Sequence, residues 1–324
     1  MPPTPLMTPV RQTILAVGLP VVLILIALAG YLWVKDTVIV LASQNQVGYS
    51  VRFSVPPAHG QVQVHSSNGD LTVRSGPGRR IMVDGQLSGS FVRPTFGHTW
   101  TAAGLNLNPQ CHVPAGNCSL RLGLIVPDRL PVSVSESFGT LDAQDLHGTV
   151  TLSDNSGDLT ASRLSGDVRL AGTYGTLTAS GLAGSIWLDN NSGDIRGAGL
   201  TGDTRLQDSF GTISVTGLAA ADVVARNSSG DISLTFTKVP RQVNVTDRFG
   251  DITLVLPPGP ATYRVVTQNS FGDTTVSVPR SPAARNTITA SNNSGNITIT
   301  TTQRDHAVTG THPAQPPPPP SPPA

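Results

Sequence analysis

The sequence predicts an all-β fold, a β-solenoid or β-helix-like stack of repeats of about 18 residues, preceded by one transmembrane helix. Three observations predict it. Glycines stand at 139, 148, 157, 166, 175, 184, 193, 202 and 211, so every interval is nine residues. Apolar residues keep a fixed phase to those glycines and alternate with polar ones. The composition suits short strands and many turns: 13% charged residues, with 33 Gly and 27 Pro in 324 residues.

From the amino terminus, residues 1–12 form a short tail, expected on the cytoplasmic side. Residues 13–34 read T-I-L-A-V-G-L-P-V-V-L-I-L-I-A-L-A-G-Y-L-W-V, bounded by Arg11 and Lys35. At 1.5 Å per residue, about 20 apolar residues cross a bilayer core, and Tyr31 and Trp33 suit its interface. Ala27-Leu28-Ala29 offers a competing reading, a cleaved signal peptide and a secreted product. The apolar run continues past that site to Val34, which favours the anchor. With the tail inside, the following domain is extracytoplasmic.

The repeat domain spans 47–302. Each 18-residue unit has two halves, one after an S-F-G or N-S-G turn and one after an L-x-G turn. Two residues after the first glycine come Leu141, Leu159, Leu177, Ile195 and Ile213; seven after it come Leu146, Leu164, Leu182, Leu200 and Leu218. The second half carries Val150, Val168 and Ile186, then Leu152, Leu170, Leu188 and Leu206. This period of two marks half-buried strands, which stack rung on rung because one rung cannot bury its own apolar side. Beyond 211 the steps between Gly230, Gly250, Gly272 and Gly295 lengthen to 20, 22 and 23, as looser end rungs would. An earlier copy of the turn stands at Ser67-Asn68-Gly69-Asp70-Leu71.

The residue before the turn glycine alternates between aromatic (Phe138, Tyr174, Phe210) and serine (Ser156, Ser192, Ser229). A coil therefore holds either 18 or 36 residues, and the consecutive aromatics Phe249 and Phe271 break the alternation. Residues 92–118 interrupt the repeat and are expected as an insertion loop. Within it Cys111 and Cys118 close a small loop able to form a disulfide outside the cell, a reduced pair being the alternative. Residues 309–324 are Pro-rich and are expected as a disordered tail.

The candidate chemistry lies in the turns. Gly139, Gly157, Gly175, Gly193, Gly211, Gly230, Gly250 and Gly272 supply corners, and Asp158, Asp194, Asp231, Asp251 and Asp273 follow several of them. Calcium β-rolls also use Gly and Asp at nine-residue spacing, but need several oxygens converging per ion. Here one Asp stands per turn, and Thr140, Thr176 and Thr212 replace it on alternate turns. A structural turn role is the stronger reading, with no metal and no cofactor. Asn155, Asn191, Asn227 and Asn293 suggest a stacked Asn ladder. No G-x-S-x-G elbow, P-loop or H-E-x-x-H occurs, and the repeated Asp residues are spread rather than clustered, so no catalytic residue is assigned. A net charge of +1 without a basic stripe argues against nucleic acid.

N-S-S-G-D-I-S-L at 227–234, N-S-G-D-L-T-A at 155–161 and S-F-G-D-T-T-V at 270–276 resemble the bacterial adhesin-type domain family DUF4097. The resemblance spans 47–302, and many members carry a membrane helix before the domain. It implies a β-solenoid on the bacterial envelope without catalytic residues. The expected function is a membrane-anchored surface adhesion or binding module whose ligand, protein or glycan, is unspecified. A structural or sensory component of the envelope stress response is the alternative, and a glycan-active β-helix enzyme a third reading.

Overall fold

The computed structural model describes residues 46–55, 60–90, 95–101, 104–110 and 118–302. The expected transmembrane helix 13–34, the tails 1–12 and 309–324, and Cys111 lie outside them. Every regular element among the described residues is a β-strand.

The chain winds as a flattened coil with one strand on each of two faces. The first face carries Val132–Glu136, then the start of His147–Ser162, Ser165–Tyr174, Ala183–Asp189, Thr204–Gln207, Asp222–Arg226 and Gln242–Thr246. The second carries Gly139–Gln144, the end of His147–Ser162, Leu177–Ser180, Ile195–Ala198, Ile213–Leu218, Ile232–Phe236 and Ile252–Leu256. Neighbours on a face are parallel and in register at 18-residue offsets: Val150 pairs with Val168 and Leu159 with Leu177. One coil is therefore 18 residues, which settles the choice between 18 and 36.

Alternation explains which side chains enter. Val132–Glu136 reads buried, half-buried, buried, half-buried, buried, and Ile232–Phe236 repeats the pattern. Large and small residues are matched across the interior. Leu152, Leu170 and Leu188 on the first face lie in coils whose second face carries Ala161, Ala179 and Gly197. Where the first face shrinks to Ala225 and Ala290, the second grows to Leu234 and Ile299. The cross-section thus stays filled at near-constant volume, as interior packing requires. Leu146, Leu164, Leu182, Leu200 and Leu218 close the second corner and are fully buried.

Both ends depart from simple winding. At the amino end, Gln61–Ser66 and Gly69–Ser75 form a coil that stacks directly on 132–144. The chain then runs outward and adds Gly104–Gln110 and Cys118–Val126 beneath that coil. The stretch 92–118, expected as a loop, thus contributes two strands, Thr95–Thr101 and Gly104–Gln110, paired antiparallel. The reason is alternation hidden among polar residues: Leu105 and Leu107 are buried at the same phase as Val62 and Val64. Antiparallel Ile81–Ser90 and Gln46–Val55 complete the cap on the second face.

At the carboxyl end the order is exchanged. Tyr263–Phe271 and Thr274–Val276 do not stack on 242–256. The later coil, Asn286–Ser294 and Ile297–Thr301, takes that place and pairs with 242–256 on one side and 263–276 on the other. Buried Tyr263 and Val278 seal the last coil, and Pro279 and Ser281 bond the backbone of Tyr263.

Candidate functional site

The first corner, between the two faces, carries the sequence-predicted turn residues. It is built in three layers: a buried polar column, a column of turn residues and an exposed column.

The buried column consists of Glu136, Asp154, Asn190, Asp208, Asn227, Asp247 and Asn292, all nearly inaccessible. Each reaches under the corner. Asp154 Oδ1 accepts from the Ser156 N–H at 3.0 Å, Asp208 Oδ1 from Ser209 at 2.7 Å, and Asp247 Oδ1 from Arg248 at 2.7 Å. Asn227 accepts in the same way, and its Nδ2 also donates to the carbonyls of Gly211 at 2.8 Å and Gly230 at 2.9 Å. Asn190 donates to Gly175 and Asn292 to Gly250. The Asn residues therefore clamp one coil to the next. An ionised carboxylate cannot donate, and Oδ2 of Asp154, Asp208 and Asp247 has no hydrogen-bond partner. Burial accordingly raises these carboxyls: Asp208 to about 6 and Glu136 to about 7, with Asp154 and Asp247 also above the usual carboxylate range.

This column is displaced from the ladder expected from sequence. Asn155, Asn191 and Asn293 are exposed, whereas Asn227 is buried and aligns with Asp154, Asn190 and Asn292. The step between Gly211 and Gly230 is 19 residues, so one constant offset selects two different columns.

The turn glycines Gly139, Gly157, Gly175, Gly193, Gly211, Gly230, Gly250 and Gly272 all have positive φ. A Cβ on Gly193 would collide with the carbonyl oxygen of Gly175 one coil away, so sterics as well as φ demand glycine. The Asp residues that follow bond the backbone of the next coil. Asp158 Oδ1 accepts from Thr176 N–H at 2.8 Å, Asp194 Oδ1 from Thr212 at 3.1 Å and Asp231 Oδ1 from Asp251 at 2.8 Å. Asp251 accepts from Asn296 N–H, and the Asp273 N–H donates to Asn296 Oδ1. These side chains form a line along the corner, and among the described residues no three His, Cys, Asp or Glu gather as a metal cage.

Just before each glycine lies the exposed column. In spatial order it reads Phe138, Ser156, Tyr174, Ser192, Phe210, Ser229, Phe249, Ser294, Phe271. The coil exchange at the carboxyl end inserts Ser294 between Phe249 and Phe271, so the alternation that fails in sequence is unbroken in space. All five rings are between 56% and 70% exposed. Their backbones are tied to the neighbouring coil: the Phe210 N–H donates to Asn191 O at 3.0 Å, and Phe210 O accepts from Gly193 N–H at 2.9 Å. Coils about 4.8 Å apart space the rings at about 10 Å along a ladder of about 38 Å.

Elsewhere, a groove at the amino-terminal cap is lined by Asn68, Asp70, Gln86, Cys118 and Arg121, and Asp70 is its one carboxylate among the described lining residues. Thr140 donates to Asp70 at 2.8 Å. The adjoining groove shares Asp70 and adds Asp84, whose carboxylate is paired with Arg52 at 2.6 Å. Cys118, at that rim, is disulfide-bonded, while Cys111 lies outside the described residues. On the first face Arg169 stacks over Trp187 at 3.7 Å and Arg205 lies at 5.6 Å.

A family model described as Toastrack DUF4097 matches residues 128–309. A crystal structure of a "putative cell adhesion protein" from Clostridium sporogenes aligns over 79% of this chain and 100% of that one, at 10% identity and a TM-score of 0.25. No curated protein matches the chain.

Proposed function

The chain belongs to the Toastrack DUF4097 family, and on that premise we propose that it is a non-enzymatic binding module of the cell surface, held at the membrane by residues 13–34. The observation that carries the reading is the exposed ladder of Phe138, Tyr174, Phe210, Phe249 and Phe271. Five large apolar side chains kept in solvent, each with a rigid backbone, oppose the tendency of such residues to be buried. They contribute nothing to the core, because Ser fills the same place on alternate coils. Rigid exposed aromatics are what a recognition surface needs, since little conformational entropy is lost on contact. Asp158, Asp194 and Asp231 support the same reading by their occupation: each bonds the backbone of the next coil. The anchor is supported by the length and apolarity of 13–34 and the interfacial Tyr31 and Trp33.

The test is co-sedimentation of the purified full chain, kept in detergent so that residues 13–34 do not insert, with delipidated bacterial envelopes, beside a variant carrying Ser at positions 138, 174, 210, 249 and 271. Serine is the residue the alternate coils already use, so the variant keeps the fold, verified by an unchanged circular dichroism melt. The wild type is expected to sediment and the variant to remain in solution. Equal sedimentation of both would remove the ladder from the function.

A further inference from the structure

Resting on that reading, we propose that the aromatic ladder binds an extended, uncharged β-1,4-linked glycan laid along the solenoid axis, with one ring per disaccharide.

The spacing is the first argument. Rings on every second coil recur at about 10 Å, twice the inter-strand distance. An extended β-1,4-linked chain turns each sugar over relative to the last, so equivalent pyranose faces recur once per disaccharide, at close to the same interval. The apolar C–H face of one sugar in each pair then meets a ring, and the sugar between passes over Ser156, Ser192, Ser229 or Ser294, where a bulky side chain would obstruct it.

The flanking columns are the second argument. On one side of the rings stand Ser137, Asn155, Thr173, Asn191, Ser209 and Ser228; on the other stand Thr140, Asp158, Thr176, Asp194, Thr212 and Asp231. Hydroxyls, amides and carboxylates beside an apolar platform match the equatorial hydroxyls and apolar faces of a sugar chain. Arg248 is the one cation in these two columns, while Asp158, Asp194, Asp231, Asp251 and Asp273 line one of them. This charge repels acidic polysaccharides and nucleic acid and selects an uncharged chain.

A second copy of the protein is the less suitable occupant. Stable protein interfaces bury upward of about 1,200 Å² around a contiguous apolar centre. Here each ring is isolated by serines and polar flanks, a pattern that suits a narrow ligand contacting one ring at a time.

The geometry also fixes how affinity grows. Each added disaccharide reaches one more ring as an intramolecular event, so affinity rises by steps with length. The experiment is calorimetric titration of the full chain in detergent with β-1,4-linked glucose and N-acetylglucosamine oligosaccharides of two, four, six and eight sugars. At least one series is expected to bind, with affinity rising about tenfold or more from four to eight sugars. Phe210→Ser with Phe249→Ser should lose most of that gain, and Phe210→Tyr with Phe249→Tyr should retain it. Affinity independent of length, or untouched by the serine pair, overturns the proposal. If neither series binds while the five-serine variant still loses envelope sedimentation, the glycan assignment falls and the binding module stands. If envelope sedimentation is also unaffected, both fall. If the five-serine variant instead changes the sedimentation coefficient of the free protein, the ladder's occupant is a second copy and the glycan assignment falls.

Discussion

Asp208 occupies the place that Asn227 fills one coil further on, and the difference between them is an oxygen in place of a donating amide nitrogen. Asn227 donates to Gly211 and Gly230, whereas Asp208 Oδ2 has nothing to accept from. When protonated, Asp208 has a donor to use as Asn227 does. Its carboxyl is raised from the ordinary 3.8 to about 6, so its contribution to stability is fully present below about pH 4 and lost as the pH rises through 6. Glu136 follows the same sign, its loss extending to about pH 7. Asp208→Asn is expected to raise stability at pH 7 by about 1–2 kcal/mol and to flatten the fall between pH 4 and pH 7. Urea unfolding at the two pH values checks both, and equal stability of variant and wild type at pH 7 would contradict the assignment. The turn glycines make a second prediction at this scale. Gly193→Ala meets both an unfavourable φ of 126° and the Gly175 carbonyl, and should cost at least about 2 kcal/mol. Gly78→Ala has φ of 111° but open space around its Cβ, so only the backbone cost applies and its melting temperature should fall less. The glycine and Asp positions were legible in the sequence because they repeat at a fixed offset. The buried column was not, because its members change between Glu, Asp and Asn, Gly172 interrupts them, and the column shifts by one residue where the step becomes 19. A search for polar residues at inward phase, two before each aromatic or serine, would have found it.

At the scale of elements, the strands and the 18-residue coil follow from alternation alone, since each rung repeats the same inward phase. Stacking order does not, because parallel pairing depends on which coil meets which, and local patterns in 263–276 and 286–301 are alike. The broken alternation at Phe249 and Phe271 was the available signal: only the order 249, 294, 271 restores it. The exchange has an energetic consequence. Strands 263–271 and 274–276 pair with the last coil and with nothing on the 242–256 coil. Ending the chain at 285 therefore removes their partner and uncovers the buried Val243, Val245, Ile252 and Leu254. Hydrogen exchange on that truncated chain should show 263–276 unprotected, while strands from 132 to 226 stay protected. Continued protection of 263–276 would mean that it docks on 242–256 in sequence order.

For the whole molecule, one-dimensional stacking converts a short repeat into a long edge. Each coil contributes one side chain to the ladder, and its neighbours fix that side chain's height, so spacing is a property of the stack rather than of any loop. The stack ends in antiparallel strands at one end and in the exchanged coil at the other, where Pro279 and Ser281 bond the edge at Tyr263. The exchange also matters to the surface, because without it two aromatics would adjoin and the ladder would lose its constant interval. Pulsed dipolar spectroscopy tests this most directly, with spin labels at 138, 271 and 294 attached by a chemistry that leaves Cys111 and Cys118 intact. With coils about 4.8 Å apart, the 138–271 distance is expected at about 38 Å and the 138–294 distance at about 34 Å. The reverse ranking, with 294 the farther from 138, would contradict the continuous ladder and the function built on it.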